Sequence, residues 1–171
     1  MNKLLLVMLL IGAGVGVFFA LKPTTLPEVT LLDENEQKVT LSQVRGDKDA
    51  LLITFLMGRC PLSKYTAGLL REMYPDKSDY MEFVALVFGS NQAAWDLCAE
   101  WNLDFPCFGV REAPDPLAIN SLIEEVGSSH GTRTAVTGGS VLLVDSERKL
   151  LFNLEREEIK ELAQRLDDEG F

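Results

Sequence analysis

Residues 50–64 read ALLITFLMGRCPLSK, and the junction inside that stretch decides the fold. Residues 50–57 are a continuous apolar run of strand length, the pattern of a strand buried on both faces. Beyond the junction the period changes: Leu62, Tyr65, Leu69 and Met73 recur three and four residues apart, which predicts an amphipathic helix halted at Pro75. The short polar turn between them delivers Cys60 to the N-cap or first turn of that helix. There the free backbone N–H groups and the positive end of the helix dipole favour a thiolate over a thiol. Pro61 suits the first helical position, where its missing donor costs nothing. Ser63 stands one turn on, where its hydroxyl can donate to the sulfur, and Arg59 and Lys64 bring positive charge to the neighbourhood.

Working outward, residues 83–88 (FVALVF) form a second fully apolar strand, followed by a helix over 91–101 and a short strand over 107–110. Pro114-Asp115-Pro116 opens a helix over 117–126. Residues 141–144 and 150–154 read as strands joined by the turn 146–149, and an amphipathic helix over 156–166 places Ile159, Leu162, Ala163 and Leu166 on one face. Towards the N-terminus, 29–32 and 37–41 are short β-type runs separated by Asp33-Glu34-Asn35-Glu36, a hairpin-like pattern. Strands alternating with helices and closed by a hairpin and a helix predict an α/β fold with a mixed central sheet.

The 171 residues are 47% hydrophobic and 25% charged, enough for one domain with a real core. A formal charge of -10 removes nucleic acid as a partner, because phosphate recognition rests on clustered Lys and Arg. Residues 4–21 are 18 uncharged, mostly apolar residues between Lys3 and Lys22. At about 1.5 Å per residue they span roughly 27 Å, close to the bilayer core. A cleaved signal peptide has a shorter apolar region ending in small residues, whereas this one ends in Phe18, Phe19 and Leu21. The expected organisation is a membrane anchor or uncleaved signal over 1–22, a linker over 23–27 and a folded domain over 28–171. Lys3 with the terminal amine sets the N-terminus inside, so a single-pass protein with a periplasmic, extracytoplasmic domain is expected. Gly12 and Gly16 form a GxxxG, a spacing that permits a weak homodimer through the anchor, although chance explains it as well in a Gly-rich segment.

With these motifs in hand, the chain resembles the thioredoxin-like redoxins, including bacterial membrane-anchored thiol-disulfide oxidoreductases and the related peroxiredoxin-type (AhpC/TSA) domains. The resemblance covers nearly all of 26–166: PEVTLLDENEQKVTLSQVRG at the start, the strand ending in GRCPLS, NLDFPCFGV, and SVLLVDSERKLL with its Asp145. It implies a thioredoxin-like fold, a redox-active Cys60, protein thiols or disulfides as substrates, and no cofactor. Two positions depart from the family. Ser63 stands where a dithiol redoxin has its second cysteine, so no internal Cys-x-x-Cys disulfide forms. Gly139, in the substrate-facing Gly138-Gly139 pair, stands where the family has a cis-proline. The peroxiredoxin branch has a proline seven and a Thr or Ser three residues before its cysteine; here those positions are Ile53 and Met57.

Cys98 and Cys107 either pair with each other, leaving Cys60 free, or one of them resolves Cys60. Helical spacing from Ala94 and Trp95 also suits Cys98 as a small core residue. His130, the single histidine, sits in a Gly and Ser-rich loop and reads as solvated. Copper-handling redoxins have a second cysteine four residues after the first; Lys64 occupies that position, so no metal is expected. Two function classes follow: an anchored monothiol oxidoreductase released by a second thiol from substrate, a partner or external reductant, Cys98 or Cys107, and a redoxin fold kept for binding or assembly at the membrane surface. A one-cysteine peroxidase with antioxidant activity, forming a sulfenic acid at Cys60, lies between them.

Overall fold

The computed structural model describes residues 25–128 and 138–171. The expected span at 4–21 with Gly12 and Gly16, linker residues 23 and 24, and His130 lie outside the described residues. Among the described residues, no helix is long and apolar enough to cross a membrane.

β1 (Thr30–Leu32) and β2 (Lys38–Thr40) pair antiparallel with Thr30 opposite Thr40. The Asp33 carboxylate closes their turn by accepting the N–H groups of Asn35 and Gln37, each at 2.8 Å. Leu41, expected at the end of a strand, instead begins α1 (Leu41–Arg45). The Thr40 hydroxyl accepts the Gln43 N–H and the Gln43 side chain accepts the Thr40 N–H, so a local capping box overrides the β-type pattern.

β3 (Ala50–Leu56) is buried along its whole length at the centre of a five-stranded sheet of order β5-β4-β3-β6-β7. It runs parallel to β4 (Met81–Val87), with Ala50 opposite Met81 and Leu56 opposite Val87. On its other side β6 (Val141–Asp145) is antiparallel, with Ala50 opposite Asp145. β5 (Cys107–Gly109) lies parallel to β4, and β7 (Leu150–Leu154) antiparallel to β6. Parallel neighbours need crossovers, and α2 (Pro61–Lys77) and α3 (Asn91–Trp101) supply them. Leu52, Leu56, Phe83 and Leu143 face α2, α3 and α5 (Leu162–Asp168), while Leu51, Ile53, Phe55 and Leu142 face the β1–β2 ribbon and α4 (Pro116–Ser128). Both faces of the sheet are therefore covered, which is why β3 and β4 tolerate no polar alternation.

Three expectations are corrected. α2 continues through Pro75 to Lys77, because a proline in the last turn removes only one backbone bond and the Ser78 N–H still reaches Tyr74 O at 2.9 Å. The buried face of α2 is Ser63, Thr66, Ala67 and Leu70, and Tyr65 is 46% exposed. Ala163 is exposed because residues Arg156–Glu161 wind as a 3-10 turn, which carries Ile159, Leu162 and Leu166 into the core but not Ala163.

Cys98 in the last turn of α3 is joined to Cys107, the first residue of β5, with the Cα atoms 6.6 Å apart. The small-core-residue reading of Cys98 thus gives way to a buried disulfide that closes the α3–β5 connection. Cys98→Ser is expected to lower stability by about 2 to 3 kcal/mol, the scale for a loop of this size. Urea unfolding checks this; a loss below about 1 kcal/mol would contradict a tightening role.

Candidate functional site

Cys60 is the N-cap of α2 with φ −91 and ψ 120, and its side chain does not cap the helix by a hydrogen bond. Its N–H donates to Met57 O at 3.0 Å, and its carbonyl accepts the Lys64 N–H at 3.1 Å. These bonds fix the turn that carries the sulfur just beyond the carboxyl end of β3. Cys60 is partly exposed and is the free cysteine of the described residues. Its sulfur lies 3.7 Å from the Gly138 carbonyl oxygen.

Ser63 is fully buried three residues into the same turn as Cys60. Its Oγ accepts the Met57 N–H at 3.0 Å. With a lone pair so engaged, the hydroxyl proton is free to point at Cys60. The Ser63 backbone N–H holds the Cys60 thiol below its ordinary pKa; partial burial opposes this, and the Ser63 hydroxyl and the Leu62 N–H reinforce it. The cause is the proximity of the N–H groups that open the helix, which favours the charged form of the sulfur even without an aligned cap bond. Arg59 and Lys64 lie exposed on either side.

A thiol whose folded pKa is depressed binds its proton less tightly than in the unfolded chain. Its contribution to stability is absent below the folded pKa, grows as pH rises, and is complete above the unfolded value. The stability of the protein relative to Cys60→Ser is therefore expected to rise as pH approaches the ordinary thiol value of about 8.5 from below, and to level off above it. Denaturant titrations of both proteins across that interval test the sign, and a flat or falling difference refutes it.

Facing Cys60 is the Gly138-Gly139 turn that leads into β6. The Gly139 N–H donates to Phe55 O, and the Phe55 N–H donates to Ser140 O at 3.0 Å. Two hydroxyls anchor the same segment: Thr66 donates to Gly139 O at 3.0 Å and Thr54 to Ser140 O at 3.1 Å. Gly139 has φ +97, and an added Cβ would sit 2.9 Å from Leu62 Cγ and 3.0 Å from Thr66 Oγ1. At Gly138 an added Cβ would come within 2.7 Å of Ser63 Oγ and 3.0 Å of Met57 Sδ. No peptide bond among the described residues is cis. A glycine in the left-handed region thus stands where the resemblance implies a cis-proline.

The structure gathers Cys60, Pro61, Ser63, Gly138 and Gly139 into one site and keeps Cys98 and Cys107 apart, bonded to each other. α3 still touches this edge, since an added Cβ at Gly58 would meet Leu97 Cδ1 at 3.5 Å. Sequence reasoning missed Thr66 and the backbone of Met57. The signal for Thr66 was its hydroxyl three residues after that of Ser63, on the helix face that also carries Leu70. Among the described residues, no group of three His, Cys, Asp or Glu side chains could hold a metal ion.

No protein-family model matches this chain, and no curated protein matches it. Solved structures do. A thiol:disulfide interchange protein from Bacteroides sp. superposes with a TM-score of 0.63 at 15% identity, covering 87% of this chain and 91% of that one. A thiol-disulfide oxidoreductase from Bacteroides fragilis gives 0.60 at 17% identity, over 85% and 98% of the two chains. A peroxidoxin from Mycobacterium tuberculosis gives 0.58 at 13%, over 84% and 91%. At these identities the likeness establishes the fold alone, a mixed α/β thioredoxin-like fold.

Proposed function

We propose that this chain is a membrane-anchored, monothiol thiol-disulfide oxidoreductase whose nucleophile is Cys60. The observation that carries the reading is the partly exposed sulfur at the N-cap of α2, beside the N–H groups that open the helix, with its pKa held below the ordinary thiol value. The Cys60 thiolate attacks one sulfur of a substrate disulfide; a mixed disulfide forms, and the other substrate sulfur leaves with the bonding electron pair and takes up a proton. Release requires a second thiolate, from the substrate or an external thiol reductant, because Ser63 replaces the usual resolving cysteine and Cys98 and Cys107 are bonded together. The Cys98–Cys107 disulfide supports a domain in an oxidising compartment such as the periplasm, since such bonds are rare in the cytosol. Residues 4–21 supply the anchor in this reading, and 23–27 its linker.

One observation favours the alternative of a binding or assembly role without turnover. The carbonyls of Gly138 and Gly139 face Cys60 and Thr66, groups of the chain itself, in the segment the resemblance assigns to substrate. A one-cysteine peroxidase is supported less, because Ile53 and Met57 stand where that chemistry has its proline and hydroxyl residue.

Alkylation of the full-length protein as a function of pH separates these readings, with Cys60→Ser as the control. An apparent pKa well below the thiol reference of about 8.5 supports the nucleophile; a value at or above it, or no labelling before denaturation, refutes it. Ser63→Ala removes the hydroxyl but keeps the backbone N–H. It is expected to slow alkylation near neutral pH several-fold and to destabilise the fold by about 1 kcal/mol through the orphaned Met57 N–H. Unchanged alkylation would mean the hydroxyl plays no part in activating the sulfur.

A further inference from the structure

The chain joins the fold at one end of the sheet, and Cys60 leaves it at the other. Thr25 forms an antiparallel bridge with Lys149, and the Leu26 N–H donates to Arg148 O at 2.9 Å with the Leu26 side chain buried. Glu28 fastens the same corner, accepting the Ser42 N–H at 3.1 Å and pairing with Arg148 at 3.2 Å. From Thr25 onward the backbone is thus seated at the β6–β7 turn. The register locates that turn along the central strand: Asp145, the last residue of β6, is opposite Ala50, the first of β3. Cys60 follows the last residue of β3, Leu56, through the turn at Met57. Seven residues of strand separate the two ends by about 20 Å.

We propose that the fold holds Cys60 away from the bilayer, so that its substrate is a disulfide on a soluble protein in the aqueous phase rather than one at the membrane surface. This inference rests on the anchored thiol-redox reading above. Between residue 21, the end of the apolar run, and Thr25 lie only Lys22, Pro23 and Thr24. Fully extended, three residues reach about 10 Å, too little to invert the domain. The β6–β7 turn therefore stays near the lipid headgroups. A chain of formal charge -10 is also repelled by an anionic leaflet, which opposes lying flat on it. Substrates at the bilayer surface cannot reach the sulfur, while the opposite edge is open to folded or unfolded chains in solution.

The test uses the full chain in vesicles containing anionic lipid, with two probes that report the same exchange. One is a water-soluble pyridyl disulfide; the other is a pyridyl disulfide coupled directly to a lipid headgroup. In each, the protein thiolate forms a mixed disulfide and releases pyridine-thione, read by absorbance. The reference for surface reach is Glu147→Cys on a Cys60→Ser background, which places a thiol on the β6–β7 turn. The tethered-to-soluble rate ratio is expected to be roughly tenfold or more lower for Cys60 than for the reference, because a tether that cannot span the gap contributes no effective concentration. Equal ratios overturn the inference while leaving the redox reading intact. Flotation of the same vesicles examines the premise: protein left unbound refutes the anchor, and with it this inference. A Cys60 that ignores the soluble probe refutes the nucleophile instead.

Discussion

Ser63→Cys is expected to convert a sulfur that stalls as a mixed disulfide into one that turns over by itself. Ser63 stands one helical turn on from Cys60, on the same helix start, so a thiol there is placed to attack the mixed disulfide from within the molecule. Intramolecular attack replaces an encounter with an external thiol, and even a modest effective molarity makes the rate of protein-disulfide reduction under limiting reductant rise roughly tenfold or more. Mild oxidation of the variant should close a Cys-x-x-Cys disulfide and abolish alkylation of the native protein, whereas the parent keeps its Cys60 thiol. The substitution has a structural cost of about 1 kcal/mol, because sulfur is a poorer acceptor than oxygen for the buried Met57 N–H. Continued alkylation of both thiols after oxidation, or no gain in turnover, would mean that the edge around Cys60 is not built for exchange.

Gly139→Pro, which installs the residue type that the resemblance implies opposite the sulfur, is expected to damage the protein. Proline holds φ near −65°, whereas Gly139 sits at +97, and proline has no N–H to give to Phe55 O. Its ring would also enter the space of Leu62 and Thr66, which already crowd an added Cβ at 2.9 and 3.0 Å. The combined loss should reach about 4 kcal/mol or more, which lowers the melting temperature by roughly 10 °C or more. Gly139→Ala keeps the N–H and carries only strain and crowding, so about half that loss is expected. Circular-dichroism melts of the two variants check both the size and the order. A proline variant as stable as the parent would show that this turn can adopt the usual conformation after all.

β3 and β4 were legible in the sequence because both sheet faces are covered, and a doubly buried strand must be apolar without alternation; their ends shift, since Met57 and Phe88 fall past the strands and are exposed and β4 begins at Met81. Cys60 was legible for a related reason. A reactive side chain between a buried strand and a helix opened by proline has one plausible position, and capping chemistry is local enough to be read from neighbouring residues. The orientation of α2 was not. Its apolar spacing pointed to Leu62, Tyr65, Leu69 and Met73, yet the helix turns Ser63 and Thr66 inward. Those hydroxyls are buried only because Met57 N–H and Gly139 O wait for them, groups brought from a strand end and from a turn more than seventy residues away. The pairing of Cys98 with Cys107 was likewise open until the α3–β5 connection brought the two together. By itself the sequence determined the layered α/β architecture and the place of the nucleophile, since periodicity and capping are local. The groups that lower the thiol's pKa belong to the same local set, being Ser63 and Leu62; the tertiary structure decided why Gly139 stands opposite the sulfur, how Cys98 and Cys107 pair, and which end of the sheet faces the chain's N-terminal segment, because each depends on contacts between residues from different elements.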